Sequence, residues 1–193
     1  MKALVTGCAG FIGSHLCEAL LTQGMQVTGI DCFTKNYSHK TKEENLSEFI
    51  NKIEFVEENI LDADLEAALD GADFVFHLGA ETGVRTSWGE DFGDYVKNNI
   101  LATNALLDAC RGKKLKKIVY ASSSSIYGDA ADFPTRESTI PKPVSPYGVS
   151  KLAAEHLCNV FSINYGVPAV SLRFFTVYGP RQRPDMAFNK FAK

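Results

Sequence analysis

The chain is predicted to fold as an α/β protein built on a doubly wound parallel sheet. Short apolar segments with strand character alternate with longer helical stretches along its 193 residues, a pattern typical of parallel strands joined by helical crossovers. The spacing Gly7-x-x-Gly10-x-x-Gly13, placed between the first strand and the first helix, also favours this class. The length suffices for one sizeable core.

The elements follow from these patterns in chain order. The predicted strands are 2–6, 26–31, 53–57, 73–78, 117–121 and 168–174. The predicted helices are 11–23, 64–69, 92–110 and 146–165. Gly24 and Gly112 suit helix ends, and Ser145 followed by Pro146 suits a helix start. Two polar segments, 32–47 and 129–144, are predicted to be long loops with a functional role.

Net charge, apolar content and cysteine spacing indicate which kinds of partner the chain does not favour. A formal net charge of −3 provides no general reason to bind nucleic acid or an anionic membrane. No apolar run approaches the roughly 20 residues of a membrane-spanning helix. The five cysteines show neither a C-x-x-C pair nor metal-ligand spacing, and no segment resembles a signal peptide. We therefore expect a cytoplasmic protein with reduced thiols and without a metal site.

The glycine spacing predicts a dinucleotide site. Glycine permits a tight turn and close approach of the backbone to a pyrophosphate, and the following helix N-terminus offers N–H groups to phosphate. Asp31 ends the second strand eighteen residues beyond Gly13, where a carboxylate accepts hydrogen bonds from an adenosine ribose. Because a carboxylate repels a 2′-phosphate, NAD is favoured over NADP. Because Lys35 lies close to Asp31 in sequence, NADP stays an alternative cofactor.

A second group of residues suggests chemistry. Tyr147 and Lys151 stand four residues apart, which puts the phenol and the ammonium on one face of a helix. An ordinary phenol pKa of about 10 is high for a base, and a neighbouring ammonium lowers it. Four serines, 122–125, directly follow the fifth strand, where hydroxyls face the crevice. There is no G-x-S-x-G motif for a hydrolase, and His77 is expected to be a packed, hydrogen-bonded histidine.

Taken together, these motifs resemble the extended short-chain dehydrogenase/reductase family of nucleotide-sugar epimerases and dehydratases. The resemblance runs from Val5-Thr-Gly-Cys-Ala-Gly-Phe-Ile-Gly-Ser14 to Arg173-Phe-Phe-Thr-Val-Tyr-Gly-Pro180. It implies a Rossmann-type sheet over residues 1–175 that holds NAD and the catalytic residues. Residues 176–193 would begin a smaller substrate-binding region whose remainder is absent, with 188–193 starting another helix.

The resemblance also assigns roles to individual residues. Ser123, Tyr147 and Lys151 match the catalytic triad, and Lys151 would also hold the nicotinamide ribose. Further cofactor contacts are implied for Gly7, Gly10, Phe11, Ile12, Gly13, Asp31, Asn59, Ile60, Leu78, Gly79, Ala80 and Asn99. The family usually has aspartate where this chain has Asn59, which weakens the adenine contact implied there.

The implied reaction is epimerisation at C4 of a UDP-sugar through a transient 4-keto sugar. Ser124 and Ser125 stand where dehydratases place acidic residues, and decarboxylases usually keep a glutamate at position 125. Segments 83–88 and 173–186 are most similar to UDP-glucuronate 4-epimerases. The substrate contacts implied are Arg85, Ser124, Ser125, Thr176 and Arg181, although Arg181 and Arg183 could equally clamp a diphosphate or lie in a solvated loop.

Several alternatives stay open at this point. One is a UDP-glucose/galactose 4-epimerase, and another is a UDP-glucuronate decarboxylase. A third, from a different class, is an NAD-binding module without turnover. The resemblance further implies a homodimer formed through the helices near 92–110 and 146–165.

Overall fold

The computed structural model describes residues 1–34, 38–129, 133–184 and 186–191. Its strands form a six-stranded parallel sheet in the order β3-β2-β1-β4-β5-β6. The strands are β1 (Lys2–Thr6), β2 (Gln26–Asp31), β3 (Glu54–Glu57), β4 (Phe74–His77), β5 (Lys117–Ser123) and β6 (Ala169–Phe174). The chain order reverses between β1 and β4, which confirms the predicted doubly wound, Rossmann-type fold.

Helices connect the strands. They are α1 (Phe11–Thr22), α2 (His39–Leu46), α3 (Leu65–Ala68), α4 (Phe92–Tyr95), α5 (Ala102–Ala109), α6 (Pro146–Tyr165) and α7 (Ala187–Phe191). A π-helical stretch, Val96–Leu101, joins α4 to α5. The caps of α6 are those expected: the Ser145 hydroxyl accepts from the Gly148 N–H, and Gly166 ends the helix at φ 69°.

Alternation along the strands builds an apolar core on each face of the sheet. Leu4 points to a cluster that includes Leu106 of α5 and Phe161 of α6. Its neighbour Val5 points to the opposite cluster, with Leu20 of α1. Because both faces of the sheet are covered, the polar functional groups collect at the carboxyl ends of the strands.

The segment 32–47 is not wholly a loop, so that prediction was wrong over α2. Ser38 caps this helix by accepting from the Thr41 N–H. Its buried face is mostly polar: Lys42 donates to Asp31, and the Asn45 side chain donates to the Ala9 carbonyl. Helices without an apolar stripe escape detection by hydrophobic periodicity. Lys35 lies outside the described residues.

Other boundaries differ by one or two residues, as helix and strand ends commonly do. The larger difference is in β5, which runs two residues beyond the predicted end at Ala121 and so includes Ser122 and Ser123. Both serines are therefore held by the sheet ladder. Of the second predicted loop, 129–144, the described residues 129 and 133–144 form no helix or strand.

The turn after β1 depends on the absence of side chains. A Cβ on Gly13 would lie 2.1 Å from the carbonyl oxygen of Gly7, and a Cβ on Gly7 would lie 2.7 Å from the amide nitrogen of Gly79. All of these are backbone atoms, which cannot rotate away. The first turn of α1 and the turn after β4 are therefore packed backbone to backbone.

Gly13→Ala is expected to lower the free energy of unfolding by about 1–3 kcal/mol, because overpacked backbone must shift. Urea denaturation measures the change. Gly93→Ala is the matched control, since a Cβ there meets nothing within 4 Å and alanine is the better helix former. Equal stability of the two variants would contradict the close contact.

Candidate active site

A cavity of about 790 Å³ lies at the carboxyl ends of the strands. It brings together the glycine turn, the strand-end carboxylate and the serine–tyrosine–lysine set. The predicted residues that line it are Gly7, Gly10, Phe11, Ile12, Gly13, Asp31, Asn59, Ile60, Leu78, Gly79, Ala80, Arg85, Ser123, Ser124, Ser125, Tyr147, Lys151 and Thr176. Asn99 and Arg181 are not among the lining residues.

The start of α1 is suited to bind an anion. Gly10 precedes the helix in an extended conformation and has no side chain to cap the first N–H groups. These N–H groups, together with the helix dipole, favour negative charge.

Asp31 is held in place before any ligand arrives. Its Oδ2 accepts from the Ala9 N–H at 2.9 Å, and its Oδ1 accepts from Lys42 Nζ at 2.6 Å. Burial raises the pKa of the Asp31 carboxyl, while the Lys42 ammonium and the Ala9 N–H act in the opposite direction. The α2 lysine was missed in the sequence because α2 was predicted to be a loop.

Asn59 lines the cavity next to this carboxylate. Its amide donates to Asn98 Oδ1 at 2.9 Å and to Cys32 Sγ at 3.6 Å. Its Oδ1 accepts from the Leu61 N–H. An aspartate could not make the first two of these bonds as a donor, so the asparagine ties the β3 exit to the π-helical stretch and to β2.

A buried chain of hydrogen bonds runs behind the cavity. The Thr103 hydroxyl donates to the Asn99 carbonyl, so Thr103 Oγ1 accepts from His77 Nε2–H at 2.9 Å. The other ring nitrogen, Nδ1, then accepts from the Thr6 hydroxyl at 2.7 Å. Thr6 Oγ1 in turn accepts from the Gly79 N–H. His77 is thus a packed, satisfied histidine that connects β1, β4 and α5.

Burial keeps His77 neutral. It lowers the pKa of the imidazole to about 3, and the nearby Lys151 charge acts in the same direction. A neutral ring is also what the hydrogen-bond chain requires, since Nδ1 must accept.

The π-helical stretch carries Asn99 into this network. The Asn99 side chain accepts from the Glu81 N–H at 2.7 Å and donates to the Glu81 carbonyl and to Ser150 Oγ. Ser150 in turn donates to the Tyr147 carbonyl. Asn99 therefore supports the cavity wall from behind, whereas the family resemblance implied a residue on the cofactor side. Stretches of π-helix are common at functional sites.

Tyr147 and Lys151 face the cavity from α6, and Ser123 faces it from the end of β5. Burial raises the pKa of the Tyr147 phenol, whereas a hydrogen bond from Ser123 and the charge of Arg183 lower it. Burial lowers the pKa of the Lys151 ammonium to about 7. Both shifts disfavour charge, so the phenolate–ammonium pair must be stabilised by its surroundings.

The two arginines after β6 point in different directions. Arg181 Nη2 donates to Glu18 Oε1 of α1 at 2.6 Å, which takes this side chain out of the cavity. Arg183 lines the cavity and donates to the Thr82 carbonyl at 3.1 Å. Of the two, only Arg183 lines the cavity, because the path of the segment decides which side chain turns inward.

The sequence analysis left out other lining residues. Lys42, Asn98, Glu81, Thr82 and Phe175 contribute to the wall of the cavity. Phe175 could have been found, because it lies within the segment 173–186 that carries the family resemblance. The others lie on turns or on a helix whose inward face no short motif marks.

Other kinds of site find no support in the described ranges. There, no three side chains of the His, Cys, Asp and Glu types gather as metal ligands. Nor does any helix of this part of the chain have the length and apolar character needed to cross a membrane.

Residues 3–193 match the profile of the NAD-dependent epimerase/dehydratase family. Among curated relatives, the uncharacterized UDP-glucose epimerase YtcB of Bacillus subtilis is 50% identical, with 100% of this chain and 62% of that protein covered. UDP-glucuronate 4-epimerase 1 of Arabidopsis thaliana is 40% identical, over 100% of this chain and 46% of its own length. The chain therefore spans about half to two thirds of the length of these relatives.

A solved structure is similar over the same region. UDP-glucuronic acid 4-epimerase from Bacillus cereus, in complex with UDP-glucuronic acid and NAD, superposes with a TM-score of 0.94 at 52% identity. The match covers 98% of this chain and 61% of that one.

The lowered pKa of the buried His77 predicts that the stability of the protein depends on pH. An unfolded imidazole binds a proton below its ordinary pKa of 6.5, whereas the folded one does so only near pH 3. Stability that is fully present above pH 6.5 is therefore lost as pH falls, by roughly 2–3 kcal/mol at pH 4.5. Urea unfolding at pH 7 and pH 4.5 measures this loss.

The control compares pH dependence and not absolute stability. His77→Gln keeps one donor and one acceptor but does not titrate, so its stability should fall less between the two pH values. His156→Gln is the matched control, because it removes a histidine at an exposed position of α6 that has no part in the buried hydrogen-bond chain. An unaltered loss in His77→Gln would contradict the buried neutral histidine.

Proposed function

Since the chain belongs to the NAD-dependent epimerase/dehydratase family, we propose that it carries the cofactor and catalytic sites of a nucleotide-sugar 4-epimerase, with UDP-glucuronate as the preferred substrate. One observation carries the proposal: Ser123, Tyr147 and Lys151 line the same cavity as the glycine turn and Asp31. An acid–base group is thereby placed beside a dinucleotide site.

The residues present fit NAD, the cofactor of this family. The close backbone packing of Gly7, Gly13 and Gly79 fixes the turn beside the start of α1, and the α1 N-terminus would hold the pyrophosphate. Asp31 would accept hydrogen bonds from the adenosine ribose, and its negative charge favours NAD over NADP. When bound, NAD reversibly accepts a hydride from the sugar C4.

The chain's own residues would move the proton. Tyr147 Oη takes the proton of the sugar 4-hydroxyl as the C4 hydride leaves, which produces a 4-keto sugar. In the reverse direction, Tyr147 would return the proton to the 4-oxygen of the keto sugar as NAD supplies its hydride back to C4, so that the 4-epimer can form. Ser123 donates to the reacting oxygen, and the Lys151 charge favours the phenolate. No net oxidation occurs, so added NAD is not consumed.

Substrate preference is proposed from the wall near Ser123. Ser124, Ser125, Thr176 and Arg183 line this part of the cavity, and Arg85 lines it as well. Hydroxyls and a guanidinium suit a carboxylate on the sugar. Arg183 replaces Arg181 in this role, since Arg181 binds Glu18.

Each alternative has a specific difficulty. Neither Ser124 nor Ser125 can act as the acid that a dehydratase needs, and a decarboxylase usually has glutamate at position 125. A UDP-glucose 4-epimerase is the second candidate, favoured by the name of the Bacillus subtilis relative. A non-catalytic NAD-binding module would not require the Ser123–Tyr147–Lys151 arrangement.

The proposal includes the organisation of the whole protein. Residues 1–175 form the NAD-binding domain, and 176–193 begin the substrate-binding region. The protein is proposed to be a cytoplasmic homodimer. Exposed apolar side chains on α6, among them Val149, Val160 and Ile163, support a helix-to-helix contact.

The activity is tested by supplying UDP-glucuronate, UDP-glucose and UDP-xylose separately, without added NAD. UDP-galacturonate is the expected product of the first, identified by chromatography. Tyr147→Phe should lower turnover by about 10²–10⁴-fold because the acid–base group is lost, yet it should bind NAD as before. Release of carbon dioxide, a stable 4-keto-6-deoxy product, or full turnover by Tyr147→Phe would contradict the proposal.

The role of Arg183 is tested by comparing two arginine substitutions. Arg183→Gln is expected to raise KM for UDP-glucuronate by roughly 10–100-fold, through loss of a charge-assisted hydrogen bond. The effect on a neutral UDP-sugar should be much smaller. Arg181→Gln is the matched control and should alter KM for both sugars alike. If Arg183→Gln raises KM for both UDP-sugars equally, Arg183 does not contact the carboxylate.

A further inference from the structure

The ammonium of Lys151 lies on the face of a buried aromatic ring. Lys151 Nζ is 4.5 Å from the centroid of Tyr120, within the range of a cation–π contact. Tyr120 belongs to β5, three residues before Ser123, and is only 1% exposed, while Lys151 is 3% exposed. The contact therefore lies in a desolvated place, where such an attraction is strongest.

Lys151 needs a source of stabilisation for its charge. Burial lowers the pKa of its ammonium to about 7, which is close to neutral pH. A modest stabilisation of the charge therefore changes the charged fraction substantially.

The titratable groups packed around Lys151 provide little negative charge. His77 on β4 is neutral, burial raises the pKa of the Cys158 thiol on α6 to about 11, and burial raises the pKa of the Tyr147 phenol. Glu155, one turn further along α6, is bound by Arg173 at 2.6 Å. Among the described residues, the group that can stabilise the positive charge at short range is the Tyr120 ring, whose face carries partial negative charge.

We propose that Tyr120 is a positioning residue for Lys151, and that its ring face holds the ammonium beneath the cavity and stabilises the charged form. The contact is a property of this structure, but its consequence for catalysis rests on the proposed function, in which the Lys151 charge favours the Tyr147 phenolate.

The hydroxyl of Tyr120 is not part of the effect. It is buried and has no hydrogen-bond partner within the described ranges. Phenylalanine therefore keeps the ring and removes a polar group whose burial is unfavourable. Leucine fills much of the same space without the ring quadrupole. Tyr120→Phe and Tyr120→Leu thus separate the ring face from apolar packing.

The pKa of Lys151 is measured directly in the protein by NMR of ¹³Cε-labelled lysine, with Lys151→Met to assign the signal. Tyr120→Phe should leave the pKa unchanged, and Tyr120→Leu should lower it by about one unit. In turnover assays, the loss of rate on the alkaline side should move to lower pH in Tyr120→Leu alone, because the charged form is lost earlier.

A series of fluorinated side chains tests the same contact in case the leucine variant does not fold. Mono-, di- and trifluorinated phenylalanine at position 120 keep the ring shape but progressively weaken its negative face, so the pKa should fall step by step. A flat series, or an equal fall in Tyr120→Phe, would overturn the proposal. Absence of epimerisation with every sugar would refute the proposed function and leave the NMR result to decide this contact.

Discussion

The backbone contact between the turn after β1 and the turn after β4 is the constraint on which the cavity depends. Gly13 packs on the Gly7 carbonyl, and Gly7 packs on Gly79, with no space for a side chain between them. This contact sets the start of α1 and the exit of β4 in one place. The anion-binding helix end and the wall that leads to Ser123 are then parts of one surface.

A buried hydrogen-bond chain extends that constraint to α6, the helix that carries Tyr147 and Lys151. It begins at the Gly79 N–H, passes through Thr6, His77 and Thr103, and reaches Asn99. Asn99 then binds Ser150, which donates to the Tyr147 carbonyl. Each member is satisfied, so the network orients its elements without the free-energy cost of an unpaired buried polar group. The turn after β4 and Tyr147 on α6 are thereby linked through hydrogen bonds.

The chemistry of the cavity depends on a balance between burial and charge. Burial disfavours both the phenolate of Tyr147 and the ammonium of Lys151. Ser123, Arg183 and the Tyr120 ring act in the opposite direction. Dry surroundings make each of these contacts stronger than it would be in water. The pair is therefore held between burial, which favours its neutral forms, and contacts that favour its charged forms.

The sequence by itself determined the fold class, the number and order of the strands along the chain, the glycine turn and the spacing of Tyr147 and Lys151. These depend on local pattern: alternation, turn chemistry and the spacing of one helical turn. Only the tertiary structure decided that α2 is a helix, that Asn99 supports the wall from behind, and that Arg183 turns inward while Arg181 binds Glu18. These outcomes depend on partners from other elements, such as Asp31 for Lys42 and Glu18 for Arg181. The same holds for the Tyr120 ring beneath Lys151, because contacts between β5 and α6 arise from packing and leave no periodic trace in the sequence.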